Sequence, residues 1–321
     1  MDFNRVTPIS FGLAILLCLA MWVPDWVETD AQATYYTLST TYQITVRILP
    51  AWLSVMTMLL VTANALLLSQ LFFKADVSRT RVFLPSFVYA LTFSALRPYH
   101  TEPVMQLNIT LVLATTFCLN NLWQNKDGAE ESFCCGLLIA LGYLITPTTL
   151  YLLPLVWILI GIQQKRFSVR SMAAALIGYA LVLWSPFIMW LSNAEVVMPH
   201  EQLALTLPDS FLPTDRLTGY LLGFYALVAL ICFIAFIRTG YSVPRARSLM
   251  VLCYIGLIPL CAIALPGNST WLLTPIAVVV TVMAYNLMTQ QNRWTTILSA
   301  VYITLLITYS LFGKYLPIDS V

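Results

Sequence analysis

Three carboxylates follow the first apolar run of the chain. Asp25, Glu28 and Asp30 come directly after a stretch rich in Leu, Ile and Ala. Carboxylates close to a membrane surface could bind a divalent metal ion, or could take the proton from an acceptor hydroxyl. These three are therefore the candidate catalytic residues.

Cationic side chains near the same surface would suit a phosphate group. Arg47, Arg97 and His100 fall at the predicted outer ends of apolar segments, which is the level of lipid head groups. We predict that they bind a lipid phosphate. Ligand spacing predicts no metal site and no cofactor, although a divalent metal at the outer face is an open alternative.

The elements that must position these residues are helices that cross a membrane. The chain is 60% hydrophobic and 9% charged, with a mean hydropathy of +0.82, and such values exclude a soluble domain. Continuous Leu, Ile, Val and Ala runs of roughly 15 to 25 residues favour helices over a β-barrel. We predict an all-α, polytopic transmembrane helical bundle, with residues 1–321 as a single integral membrane domain. Its eleven spans cover residues 8–24, 48–73, 82–96, 104–123, 133–147, 148–163, 171–191, 219–238, 249–265, 271–288 and 295–313.

The charges sort between the two sides of this predicted bundle. The N-terminus and every second turn hold 12 of the 16 Lys and Arg, whereas the other turns hold 9 of the 14 Asp and Glu and both His. Because cytoplasmic loops are enriched in Lys and Arg, the N-terminus is predicted inside and the C-terminus outside. The carboxylates and histidines then gather on the outer face.

Two segments allow a local prediction. Residues 31–45 are polar and aromatic, and we expect a helix lying along the outer surface. Spans 133–147 and 148–163 meet at a Thr-Pro-Thr-Thr turn, either as a tight hairpin that crosses fully or as a re-entrant pair. Gly136 and Gly142 would allow close helix approach there.

Several classes of function are excluded or disfavoured. The net charge of +2 is too small to indicate a nucleic-acid partner. No Walker motif, HExxH, GxSxG or Rossmann fingerprint occurs. No Asp, Glu, Lys, Arg or His falls in the middle third of a predicted span, which disfavours ion-coupled transport. The deep polar residues are amides, which we expect to bridge helices: Asn64, Gln70, Asn108, Asn120, Asn121 and Asn286.

Residues 61–100 and 132–187 resemble an uncharacterised family of polytopic inner-membrane proteins from Bacteroidetes-type bacteria. The matching features are mostly packing residues: Asn64-Ala65, Leu84-Pro85, Gly136, Arg170, Gly178 and Pro186. The resemblance implies a multi-pass protein of a bacterial inner (cytoplasmic) membrane, and it implies no activity.

The chain also looks like multi-spanning glycosyltransferases that depend on polyprenyl-phosphate-linked sugars. In those enzymes a cytoplasmic N-terminus leads through one span to a long outer loop with acidic residues and surface helices. The likeness implies that Asp25 or Asp30 acts on the acceptor or on a metal, with Arg97 or His100 on the lipid phosphate. The large soluble outer domain of such enzymes has no counterpart in this sequence.

Three functions are therefore predicted in order. The first is a lipid-carrier-dependent glycosyltransferase-like protein with an outward-facing site, whose partners are membrane lipids and a polyprenyl-phosphate-linked sugar. The alternative is a non-catalytic scaffold or assembly component of an envelope complex, with an envelope protein as its partner. A lipid or solute transporter without ion coupling is third. Whether the protein is an enzyme stays open on the sequence alone.

Overall fold

Six helices and one two-stranded sheet make up the part of the chain that the computed structural model describes. That part covers residues 34–39, 44–74, 84–95, 100–122, 128–145, 152–164 and 168–192, with the single residues 20, 22, 42, 149, 297, 301, 304 and 308. The strands are β1, Thr34–Ser39, and β2, Ile44–Ile48. The helices are α1, Pro50–Lys74; α2, Leu84–Ala95; α3, Pro103–Asn121; α4, Ala129–Ile145; α5, Leu152–Gln164; and α6, Val169–Leu191.

The helices lie where six of the spans are predicted. Each begins and ends within four residues of its prediction, and the largest differences are the starts of α4 and α5. Within the described ranges, three helices are long and apolar enough to cross a membrane, namely Pro50–Leu71, Pro103–Asn121 and Val169–Met189. The described chain is therefore mostly helical, with the features of a membrane protein. The other five predicted spans, 8–24, 219–238, 249–265, 271–288 and 295–313, lie outside the described residues except at isolated positions.

The pair predicted as a hairpin or a re-entrant element consists of two short helices. α4 has 17 residues and α5 has 13. At a rise of 1.5 Å per residue these helices are about 26 Å and about 20 Å long, somewhat less than a hydrocarbon core of about 30 Å. Both predicted arrangements are compatible with these lengths.

The segment predicted as a surface helix, residues 31–45, forms much of a β-hairpin instead. β1 and β2 pair antiparallel, with Tyr35 opposite Arg47 and Tyr36 opposite Val46. The helix prediction was wrong because the segment is rich in Thr and Tyr, and β-branched and aromatic residues favour strands. Since side chains alternate between the two faces of a strand, Tyr36 and Arg47 lie on opposite faces of the hairpin.

Small residues let α4 and α6 pack backbone against backbone. A Cβ atom added at Gly136 of α4 would collide with the carbonyl oxygen of Ala175, and one added at Gly178 of α6 would collide with that of Phe133. The predicted close approach at Gly136 is confirmed, but its partner is α6 rather than α5. Helices in lipid gain little from the hydrophobic effect between them, so close contact of this kind is what holds them together.

Buried amides join α1, α2 and α3, as the sequence predicts for Asn64. Its Nδ2 donates to the backbone oxygen of Gln106 at 2.9 Å, and its Oδ1 accepts from Thr110 Oγ1 at 2.7 Å. The hydroxyl of Tyr89 in α2 donates to Gln106 Oε1 at 3.1 Å. Asn64, Tyr89 and Gln106 are fully buried, so these bonds fix the three helices against one another.

Candidate functional site

The hairpin is attached to the ends of three helices. Ser39 Oγ donates to the backbone oxygen of Leu144, near the end of α4. The hydroxyl of Tyr42 shares a hydrogen bond of 2.9 Å with Ser185 Oγ in the second half of α6. A third bond, from Tyr36, reaches the start of α3. The start of α3, the end of α4 and the second half of α6 therefore lie on the same side of the bundle as the hairpin.

Tyr36 connects the hairpin to the first turn of α3. Its hydroxyl donates to Glu102 Oε2 at 3.1 Å and accepts the backbone N–H of Val104 at 3.3 Å. Glu102 immediately precedes the helix, yet its side chain makes no capping hydrogen bond to its own helix. Tyr36 therefore takes the N–H that a capping side chain would otherwise satisfy, and the carboxylate is turned towards the hairpin.

Burial dominates the electrostatics of this pair. Glu102 is half-buried, and burial raises the pKa of its carboxyl group, while the hydrogen bond from Tyr36 acts to lower that pKa. Burial also raises the pKa of Tyr36, and the negative charge of Glu102 adds to this effect. The tyrosine therefore stays protonated and donates. Within the described part of the chain, no cationic side chain pairs with Glu102.

His100 is enclosed in the same turn between α2 and α3. Its ring stacks on Trp22, with ring centroids 3.8 Å apart and planes inclined by 15°, and only 1% of the residue is exposed. Its Nε2 donates to the backbone oxygens of Phe93 and Ser94 at 3.2 and 3.1 Å. Trp22 Nε1 in turn donates to Ser94 Oγ at 2.8 Å. The predicted phosphate contact of His100 would require the ring to leave this stack.

Arg47 lies on the face of the hairpin opposite to the one that carries Tyr36. Its cross-strand neighbour Tyr35 is 79% exposed, and Arg47 is exposed as well. The hairpin register therefore does not direct Arg47 towards Glu102. Its contact with a lipid phosphate stays a prediction, which its exposure allows.

The remaining predicted site residues lie outside the described residues, namely Asp25, Glu28, Asp30 and Arg97. Residues 25–30 are called the acidic segment below. On either side of it, the nearest described residues whose side chains contact the helices are Trp22 and Tyr36, and both contact the turn between α2 and α3. Trp22 stacks on His100, and Tyr36 binds Glu102. The chain thus leaves this turn before the acidic segment and returns to it afterwards.

Two further observations concern bound ligands. In the ranges that the structure describes, no group of three or more His, Cys, Asp or Glu side chains is placed to hold a metal ion. A mostly apolar cleft between α3, α4 and the start of α5 has free space for about one water molecule. Its polar lining groups include Asn108, Thr115 and Thr149. The cleft is too small for a ligand larger than water, so the turn between α2 and α3 is the better candidate site.

Sequence reasoning missed Tyr36 and Glu102 as site residues. Glu102 carried a usable signal, because it directly precedes Pro103, and proline is frequent at the first position of a helix. A carboxylate at the predicted start of a helix could therefore have been proposed as a site residue. Tyr36 carried no such signal, since its partner is 66 residues away in the sequence.

The sequence matches no protein-family profile and no curated protein. The resemblances drawn from its residues therefore stay predictions.

Proposed function

We propose that the protein transfers a sugar from a lipid carrier at the outer face of a membrane. One observation carries the proposal: Trp22 and Tyr36, which flank the acidic segment, both contact the turn between α2 and α3. The chain on both sides of the predicted carboxylates is therefore attached at the predicted phosphate-binding turn. A site for a lipid-linked sugar needs both kinds of group within reach of one substrate.

Covalent geometry limits how far the acidic segment extends from that turn. An extended chain spans at most about 3.6 Å per residue, so Asp25, three residues after Trp22, has its Cα within about 11 Å of the Cα of Trp22. Asp30 precedes Tyr36 by six residues and has its Cα within about 22 Å of that of Tyr36. These limits support a shared site for the carboxylates and the turn.

In this proposal the donor is a polyprenyl-phosphate-linked sugar. Asp25 or Asp30 acts on the acceptor or holds a divalent metal, and Glu28 is the third carboxylate of the set. The lipid phosphate is held by cationic side chains at the same level of the membrane: Arg97 from the turn and Arg47 from the hairpin. His100 keeps its stack on Trp22 and so supports the turn without contacting the phosphate.

We also propose that the protein crosses a bacterial inner membrane eleven times, with the N-terminus inside and the C-terminus outside. The charge sorting supports this topology, and so do the contacts of the hairpin. They group the start of α3 with the end of α4 and the second half of α6, as alternating helix directions require. Lys74 ends α1 and Arg170 lies at the start of α6, so both cations fall at helix ends remote from these contacts.

The test compares carboxylates at the two sides of the bundle. Asp25→Asn, Asp30→Asn and the double variant are expressed in a strain that lacks the chromosomal copy. We expect each variant to insert normally but to lose the release of polyprenyl phosphate from a labelled polyprenyl-phosphate-linked hexose. Glu130→Gln is the matched control, because Glu130 is an exposed acid in the first turn of α4. It should keep the wild-type rate.

The proposal fails if both single variants and the double variant fully complement a deletion phenotype. A stable, stoichiometric protein partner in mild detergent, found together with full complementation, would favour the scaffold alternative instead.

A further inference from the structure

Glu102 is a half-buried carboxylate without a cationic partner in the described chain. Buried or partly buried charges are normally paired, because removing a carboxylate from water is costly. Here the one side-chain partner in the described residues is the hydroxyl of Tyr36. A partly buried carboxylate without a cationic partner contributes little to the stability of the fold. Carboxylates in such surroundings cluster at functional sites.

The two oxygens of the Glu102 carboxylate differ. Oε2 accepts the hydrogen bond from Tyr36, whose hydroxyl is itself held by the N–H of Val104. Within the part of the chain that the structure describes, no hydrogen bond is formed to Oε1. Among the described residues, one oxygen is thus held by a partner and the other is left to accept a proton. A general base needs this geometry, with an orienting partner on one side and an open acceptor on the other.

We propose that Glu102 is the catalytic residue that takes the proton from the acceptor hydroxyl, with Tyr36 as its positioning residue. This inference rests on the proposed sugar transfer. It assigns proton removal to the turn between α2 and α3, and it leaves the acidic segment the role of holding the acceptor or a metal.

The proposed step balances without a further reactant. The acceptor oxygen forms a bond to the anomeric carbon of the sugar, and its proton passes to Glu102 Oε1. The bond between the anomeric carbon and the phosphate oxygen breaks, and its electron pair leaves with the polyprenyl phosphate. Glu102 then releases the proton to water.

The electrostatics of the turn support this role. Burial raises the pKa of the Glu102 carboxyl group, which makes its ionised form a stronger base than an exposed glutamate. The hydrogen bond from Tyr36 lowers the pKa of the same carboxyl group and so opposes this rise. Among the described residues, the titratable group that faces Glu102 is the Tyr36 hydroxyl from the hairpin.

The experiment measures release of polyprenyl phosphate from a labelled polyprenyl-phosphate-linked hexose in membrane vesicles that contain the full chain. Glu102→Gln can still accept the bond from Tyr36 through its amide oxygen, but it cannot serve as a carboxylate base. We expect the rate to fall by about 10²- to 10⁴-fold, with binding of the labelled donor unchanged. Glu102→Asp should retain part of the rate, and Glu130→Gln should retain all of it.

Tyr36→Phe tests the positioning role. The substitution removes the hydrogen bond that favours the ionised carboxyl, so the pKa of Glu102 should rise further. The rising limb of the pH–rate profile should therefore move to higher pH. A Tyr36 that only stabilises the fold would change the amount of protein and leave the limb where it is.

The outcomes separate this inference from the function on which it rests. Wild-type vesicles that release no polyprenyl phosphate overturn the proposed sugar transfer and this role together. An active wild type with an equally active Glu102→Gln variant overturns the role of Glu102 alone. Loss of donor binding in a correctly inserted Glu102→Gln variant also overturns it, because the residue would then bind substrate rather than take a proton.

Discussion

The hairpin and the pair formed by α4 and α6 are attached to the molecule in opposite ways. The hairpin is held to the helices by separate side-chain hydrogen bonds from Tyr36, Ser39 and Tyr42, whereas α4 and α6 meet backbone to backbone at Gly136 and Gly178. One such hydrogen bond contributes about 0.5–1.5 kcal/mol. A close-packed backbone contact cannot relax when a side chain is inserted into it. We call the packed helices α1 to α6 the frame. The contact between α4 and α6 shows why the frame is rigid, whereas the contacts of the hairpin change at small cost.

The largest effect is expected when the frame is broken at Gly178. Gly178→Leu forces a side chain into the carbonyl oxygen of Phe133, and we expect destabilisation of about 3 kcal/mol or more. The yield of monodisperse protein in detergent and its thermal midpoint measure this loss. Ala180→Leu adds a larger side chain at an exposed position of the same helix and should be tolerated. Equal behaviour of the two variants would contradict the close contact.

A smaller effect is expected where the frame depends on hydrogen bonds instead of backbone contact. Asn64→Leu leaves the buried Gln106 and the partly buried Thr110 without the bonds that Asn64 makes, and we expect a cost of about 1–3 kcal/mol. Thermal unfolding in a fixed detergent provides the measurement. Thr62→Val is the control, since Thr62 is exposed and bonds only to its own helix at Met58. A stability loss of the same size in both variants would remove Asn64 from the frame.

The smallest effect concerns how the attachment of the hairpin varies with pH. Because burial raises the pKa of Glu102, ionisation favours a state in which the carboxyl group is exposed to water. Attachment should be fully stabilised below the ordinary pKa of a glutamate and should weaken as the pH rises through the raised pKa. A spin label at Thr37→Cys, on β1, should therefore become less restrained over that interval.

Glu102→Gln provides the control for this pH effect. The variant cannot ionise, so the restraint of the label should no longer change over that interval. If the label gains freedom equally in both proteins, titration of Glu102 does not govern the attachment.

The sequence predicted the frame better than the site. Apolar runs located α1 to α6, since the length and composition of a run are local properties. The role of Asn64 followed from the cost of an amide in lipid. The hairpin was not predicted, because the polarity of residues 31–45 suggested a surface helix. Their β-branched and aromatic side chains favour strands instead. The bond between Tyr36 and Glu102 joins distant segments, and no local pattern encodes which residue of an aromatic stretch meets which end of a helix.

We propose that the acidic segment lies beside the turn between α2 and α3. Pulsed electron paramagnetic resonance measures this distance, with spin labels at Asp25→Cys and Thr101→Cys in an otherwise cysteine-free chain in nanodiscs. A second pair, Asp25→Cys with Glu130→Cys, reports the distance to the start of α4. We expect the distance from residue 25 to residue 101 to be much shorter than the distance from residue 25 to residue 130. Two equal distances would contradict the proposed position of the acidic segment.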